Sequence, residues 1–444
     1  TLKRPEGRAP GAVSKCASDA ARTRKWLEKA VEFAYGSGVF PNRWVLYLAG
    51  VAVVGQFSAL AQIDADQRQL LQLGYNQPLE GRGPISGYAF YYLNKPGFLR
   101  TNLTLRLAVA PVYLDAELGI SEALGPHTDL GIGVAGGGFA DSYSEVRGGK
   151  YIKEESFRGH GSEVSLNVYH RLNPARRIPL YAVLHNNLHW SLYERESSTS
   201  PAFVLPEDRA TFNTRAGLRW GGHEPVILPD LAMEVSVWYE GRFRTRADTY
   251  GFAGDRQVES SGHFLWGRAL LVYTFPEWKH TFSLNLTTGA SLNADRFSAY
   301  RLGAILPLSS EFPLNLPGYY FQEISARQFA LLSGYYSLPL DSQRRWSLTA
   351  MANTAAVDYL PSQRQAGDWL SGIGGGLSYR SPSGEWHVLA GYAYGIDALR
   401  THGRGANSIG ILCQVDLGVR QRAKARVPTP DIPNKSRGLF RLFQ

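Results

Sequence analysis

The sequence predicts an all-β fold: a transmembrane antiparallel β-barrel of about 16 strands. The first observation is alternation. Between Leu370 and Leu417 three consecutive segments switch between an apolar face and a polar or tiny one. In the last, Asn407, Ile409, Ile411, Cys413, Val415, Leu417 and Val419 share one side, against Ser408, Gly410, Leu412, Gln414, Asp416 and Gly418. In the middle one, Trp386, Val388, Ala390, Tyr392, Tyr394 and Ile396 stand against His387, Gly391, Ala393 and Gly395. The first sets Ile373, Leu377 and Tyr379 against Gly372, Gly374, Gly376, Ser378 and Arg380. Successive side chains on a strand point to opposite faces, so these are strands. The second observation is length: about 10–13 residues each, more than a soluble strand needs and close to the roughly 9–11 tilted residues that cross a bilayer. The third is composition. Tyr at 24, Trp at 10 and Gly at 47, with 2 Met and 2 Cys, suit many strands joined by turns.

Charge excludes one class of partner. Of the net +9, residues 1–43 carry +5 and residues 419–444 carry +6, leaving the 375 residues between them near neutrality at −2. The basic residues sit in two end segments, no basic groove is implied, and no nucleic acid is expected. Cys16 and Cys413 make neither a disulfide framework nor a zinc-ligand spacing.

Taken in order, the chain begins at Thr1 with a weakly helical, basic stretch. Residues 1–38 read as upstream sequence, consistent with a mis-called start. Arg43 then precedes the apolar run Trp44 to Val54 and the small-x-small site Ala59-Leu60-Ala61. A positive flank, a short apolar core and such a site describe a signal peptide, here 39–61, too short to span as a helix. Residues 62–83 read as a polar periplasmic lead-in and 84–418 as the barrel. Its strands are expected near 85–94, 101–109, 111–120, 128–140, 160–171, 178–194, 209–221, 230–244, 262–275, 279–290, 298–306, 324–338, 344–357, 370–381, 385–397 and 406–418. Short turns at 173–175, 276–278 and 381–384 alternate with longer polar stretches at 141–158, 195–207, 245–260, 307–323 and 358–369. Bacterial barrels place short turns in the periplasm and long loops outside. Residues 419–444, with Pro428, Pro430 and Pro433, read as a basic, disordered periplasmic tail.

The run Gly372-Ile373-Gly374-Gly375-Gly376-Leu377-Ser378-Tyr379-Arg380-Ser381-Pro382-Ser383-Gly384 and the strand Ser333-Gly334-Tyr335-Tyr336-Ser337-Leu338-Pro339-Leu340 carry a resemblance. The last third of the chain resembles the barrel of the Omp85 superfamily, the bacterial surface antigen group. The resemblance implies sixteen strands, a bacterial outer-membrane location, and protein insertion or translocation through a weak seam between first and last strands. It also implies an inward-folded loop. The family's hydrophobic-Arg-Gly-aromatic motif corresponds here to Leu316, Pro317, Gly318 and Tyr319, and the aspartate that meets its arginine corresponds to Asn353. Both halves of that ion pair are replaced together, which avoids a stranded buried charge. An inward loop would have to be held otherwise. The lead-in is too short for the family's periplasmic POTRA domains, so receiving functions would fall to a periplasmic or lipoprotein partner. Client outer-membrane proteins and outer-membrane lipid are the other partners implied. The alternative is a passive pore or structural barrel.

No enzyme chemistry, cofactor or metal is expected. Gly131-Ile132-Gly133-Val134-Ala135-Gly136 matches a dinucleotide fingerprint, but no helix opens after it. His185 and His189 share one strand face yet stand about 13 Å apart, too far for one ion. The inward Glu163, Arg215, Arg219, Glu234, Glu240 and Arg268 are expected to form a lumen charge network.

Overall fold

The computed structural model describes residues 67–84, 86–222, 226–305, 312–365 and 367–419. The expected upstream segment, signal peptide and basic tail beyond Val419 lie outside them. Sixteen strands form the wall: β1 Arg68–Pro78, β2 Gly87–Pro96, β3 Leu103–Ala110, β4 Tyr113–Ile120, β5 Thr128–Gly137 and β6 Arg158–Arg171. They continue with β7 Leu180–Glu194, β8 Arg209–Gly222, β9 Leu231–Arg244, β10 Ser261–Thr274 and β11 Thr281–Leu292. The last five are β12 Ile324–Pro339, β13 Trp346–Tyr359, β14 Trp369–Arg380, β15 Trp386–Arg400 and β16 Gly403–Asp416. Each pairs antiparallel with its sequence neighbours. β1 also pairs with β16 from Leu70↔Asp416 to Pro78↔Ser408, which closes the ring. A closed ring leaves no unpaired edge, the condition for strands to cross lipid. No helix among the described residues is long and apolar enough to cross a membrane.

The wall is apolar outside and polar inside, the reverse of a soluble protein. On β1, Leu71, Leu73 and Tyr75 are 39%, 44% and 46% exposed, whereas Gln72 and Asn76 are 1% and 4% exposed. The same alternation holds on β16, where Ile409 and Ile411 face out while Ser408 and Gln414 are buried.

Two expectations are corrected here. Residues 68–78 are not a lead-in but the first strand of the wall; its outward Leu71-x-Leu73-x-Tyr75 carries only three apolar residues among glutamines, so the alternation was too sparse to stand out. Conversely, 298–306 is not a wall strand. Only Tyr300–Leu302 is extended, pairing with Ile324–Ala326 beyond the end of β11. Leu302 is buried in an interior cluster and Ala304 is buried nearby in sequence, so their alternation records packing inside the barrel rather than contact with lipid.

The long and short connections named above fall at opposite ends as expected, but the two-residue turns at 111–112 and 401–402 lie at the long-loop end. The 172–179, 275–280, 340–345 and 381–385 connections lie at one end of the wall, and those at 138–157, 195–208, 245–260, 293–323 and 360–368 at the other. Wall height is uneven: β1–β5 have 8–11 residues and β6–β16 have 12–16.

Candidate functional site

The site is built around the connection between β11 and β12, whose described residues 312–323 fold into the barrel. Leu316 and Tyr319 are fully buried there with Ile324, Phe329, Leu331, Ala355 and Leu370. Asn353 on β13 donates its side-chain Nδ2–H to the Asn315 carbonyl at 2.7 Å. The loop thus meets the strand position expected of it, through an amide rather than an ion pair.

The glycines of β14 and β15 make the bed. A Cβ on Gly372 would collide with the Pro317 carbonyl, and one on Gly318 with the backbone of Gly395. Gly318 also holds φ +83, a left-handed conformation that any side chain would strain. The Tyr319 hydroxyl points at the Ser371 carbonyl, 3.5 Å away. Pro317, at the arginine position of the resembled motif, contributes packing alone.

The ion pair that holds the loop is a different one, with its charges exchanged. Glu323, in the loop, meets Arg400, the last residue of β15, with Nη1–Oε1 at 2.9 Å and Nη2–Oε2 at 3.2 Å. Both side chains are almost wholly buried. Arg400 also lies 3.7 Å over the Tyr320 ring and reaches the Gly318 carbonyl at 3.3 Å. The second Glu323 oxygen accepts the Tyr320 amide at 2.7 Å. Tyr320 in turn donates its hydroxyl to the Glu80 carbonyl at 2.9 Å, and the Glu80 carboxylate accepts from Asn407 of β16. The docked loop therefore touches β13–β15 on one side of the β1–β16 seam and the β1–β2 connection on the other.

Phe312 enters the lumen farther round. Its ring meets Trp266 edge-on at 4.4 Å and lies 6.0 Å from Trp238. The Arg268 and Arg215 guanidiniums stand 4.4 Å and 5.9 Å from its centroid. Of the expected lumen network, the structure brings Arg219, Glu234 and Arg268 together: Arg268 donates twice to Glu234, and Arg219 Nε lies 3.4 Å from it. Arg215 and Glu240 are register partners on β8 and β9, and Glu240 accepts from Arg242 at 2.8 Å. Glu163 lies apart, with Asn187 at 3.0 Å and His189 at 3.3 Å. His189 also meets Asp141 at 2.8 Å, so both ring nitrogens face carboxylates and neither is left for a metal. A further inward group, Glu117 with Arg106, Asn167 and Tyr169, gave no signal beyond the alternation.

Both ends of the barrel are crossed. Glu145, in the β5–β6 loop, is buried and accepts from the Tyr143 hydroxyl at 2.6 Å. It also meets Arg147 of its own loop, Arg256 of the β9–β10 loop at 3.6 Å, Arg296 of the β11–β12 loop, and Gln363 of the β13–β14 loop at 3.2 Å. Strands 5 and 13 are diametrically opposed in a ring of sixteen, so a contact between their loops bridges the mouth. Burial pushes the Glu145 carboxyl up, but Arg296 and the Tyr143 hydroxyl outweigh it and hold it below the ordinary carboxylate value. Burial among Phe203 and Tyr250 pulls Arg256 down to about 10, still cationic at neutral pH. At the short-turn end, the β8–β9 connection reaches across to β16, where the Ile227 amide donates to Gln414 at 3.1 Å. Asp230 of the same connection pairs with Arg344 at 2.7 Å and Arg380 at 3.3 Å. Against the cost of burial, Arg380 and Arg344 keep its carboxyl low.

No family model matches this chain, nor does any curated protein. Among solved structures it is similar to CdiB from Escherichia coli, at 11% identity and a TM-score of 0.51, over 78% of this chain and 63% of that one. CdiB from Acinetobacter baumannii aligns at 12% identity and a TM-score of 0.49, over 78% of this chain and 60% of that one. BamA from Haemophilus ducreyi lacking POTRA domains 1–3 aligns at 12% and 0.49, over 79% and 70%. The chain spans about 60% of the length of the CdiB proteins. The likeness is one of fold, and it is the sixteen-stranded barrel that the resemblance implied.

Proposed function

We propose that this protein is a bacterial outer-membrane barrel that is closed at rest and assists the insertion or translocation of polypeptides, its seam being released when the 312–323 loop undocks. One observation carries the reading. The docked loop is fastened to both flanks of the β1–β16 seam, through Arg400 and Gly372 on one flank and the Glu80 carbonyl on the other. A loop placed so can couple an event in the lumen to the opening of the wall. The buried Glu145 cap and the crossing turn at 226–230 speak against a free passage for solutes. Clients would be unfolded outer-membrane proteins, delivered by a periplasmic or lipoprotein partner.

The test is reconstitution. Vesicles containing the protein should fold an added, urea-unfolded barrel client faster than empty vesicles, read by the client's shift in unheated gel mobility. Equal rates would remove the insertion reading. In planar bilayers the protein should give small, flickering current, and deleting residues 314–321 should raise it. The passive pore, the competing reading, requires instead a steady, large current from the intact protein.

A further inference from the structure

The outward face of β6–β8 holds, near mid-depth, a carboxamide that lipid does not suit. Register pairs place Leu180 level with Trp220, and Trp190 level with Ala210. Ten residues separate the two levels, about 33 Å along the strand and about 25 Å along the membrane normal at the usual tilt. That is the height of a barrel's apolar band, with a tryptophan near each border. Between these levels Val164, Leu166, Val168, Leu184, Leu188 and Leu218 face outward, and so do three polar residues: His170, near the Leu180 border and 2.8 Å from the Thr128 hydroxyl, and the register partners Asn186 and Thr214. Asn186 stands six residues above Leu180, within about 3 Å of the midplane. Its carboxamide forms no hydrogen bond among the described residues. The Thr214 hydroxyl can satisfy itself on local backbone. A carboxamide has two donors and an acceptor, and the bilayer centre offers no water to meet them.

We infer that two copies of this chain associate side by side through the outward face of β6–β8, with Asn186 of each meeting Asn186 of the other. A carboxamide is its own complement: the N–H of one donates to the C=O of the other, and the reverse pair forms by symmetry. Two barrels inserted in the same direction are related by a two-fold axis along the membrane normal. Such an axis places the same residue of each copy at the same depth, as a self-complementary contact requires. Two convex walls touch along a narrow strip, and Asn186 lies on one, flanked by Leu184 and Leu188 on its own strand and Leu166 beside it. The inference rests on the barrel spanning a bilayer and not on what the barrel does there.

Energy transfer between donor- and acceptor-labelled full-length protein in liposomes, followed across protein-to-lipid ratio, is the test. The wild type should self-associate. Asn186→Leu should weaken association about tenfold, the loss of two hydrogen bonds in lipid, whereas Asn186→Gln should retain most of it. Thr288→Leu, on the distant β11, should change nothing. Folding is checked by unheated gel mobility. Should Asn186→Leu not fold, Asn186→Cys with Cys16 and Cys413 replaced by Ser should give a disulfide-linked dimer on mild oxidation. A wild type that stays monomeric at every ratio overturns the inference, as does unchanged association of Asn186→Leu or absence of the cross-linked dimer. Asn186-dependent capture of a different protein, with no self-association, would equally overturn the second copy as occupant.

Discussion

A carboxylate buried as deeply as Glu323 persists in charged form only beside a cation, and Arg400 supplies it with two hydrogen bonds. Removing one member strands the other, a cost of about 3–5 kcal/mol, whereas replacing both with apolar residues is often close to neutral. Arg400→Met alone should therefore destabilise the folded barrel strongly, and the Arg400→Met/Glu323→Leu double variant should recover most of the loss in urea titrations. Simple additivity of the two single effects would show that the residues do not act as a pair. The sequence made the neighbourhood legible but not the pair. Asn353 was recognisable as a loop contact because it stands where the resembled motif has an acid. Glu323 and Arg400 are 77 positions apart with no local pattern between them, and only closure of the wall brings them together. Glu145 likewise gathers its partners from four loops, yet its effect on pH dependence follows directly. Its folded-state value lies below the unfolded one, so the stabilisation it gives the cap is complete above the ordinary glutamate value of about 4.3. It is lost as pH falls through the lowered folded value. Amide exchange in 138–157, taken relative to the unstructured-chain rate at each pH, should stay slow at pH 7 and become faster on acidification below that range. Glu145→Gln should make it fast at pH 7, and exchange independent of both pH and this residue would refute the hub.

At the scale of elements, the expected number of strands was right for a mixed reason. One wall strand, β1, was read as a lead-in, and one loop segment, 298–306, as a strand. The errors share a physical origin, because alternation reports that one face is buried without saying whether the other meets lipid or the barrel's own interior. β1 matters most for mechanism, since it forms half of the seam. Its nine register pairs with β16, Leu70 to Pro78, are no fewer than the eight it makes with β2 and more than the six between β2 and β3. The seam is thus not weak by pairing alone, and its opening would have to be driven. A native residue permits a direct test. Leu73 stands opposite Cys413 across the seam on the outward face, and cross-strand Cα separations of about 4.5–5.5 Å suit a disulfide. Leu73→Cys should form that bond on oxidation. If clients enter through this seam, the oxidised protein should lose its acceleration of client folding and regain it on reduction, with its current unchanged. Full activity while oxidised would place the route elsewhere.

For the whole molecule, the two closures lie in series along one axis. The Glu145 cap and docked loop occupy the long-loop end, and the 226–230 crossing, pinned by Asp230 to Arg344 and Arg380, occupies the other. Neither was visible in the sequence as a closure, because each depends on loops from opposite sides of the ring meeting over the lumen. Conductances in series are governed by the smaller, so opening one end should expose the other as the limit. Asp230→Asn removes the carboxylate charge that two arginines share and should free the crossing turn, yet leave bilayer current near the wild-type level while the outer end stays shut. Deleting 314–321 should raise the current to a ceiling set by the crossing turn. The combination should then exceed the sum of the two separate increases, because each change removes the limit on the other. Simple additivity would mean that ions pass the two ends by separate paths, and a large current from Asp230→Asn alone would mean that the outer end does not hold the lumen closed.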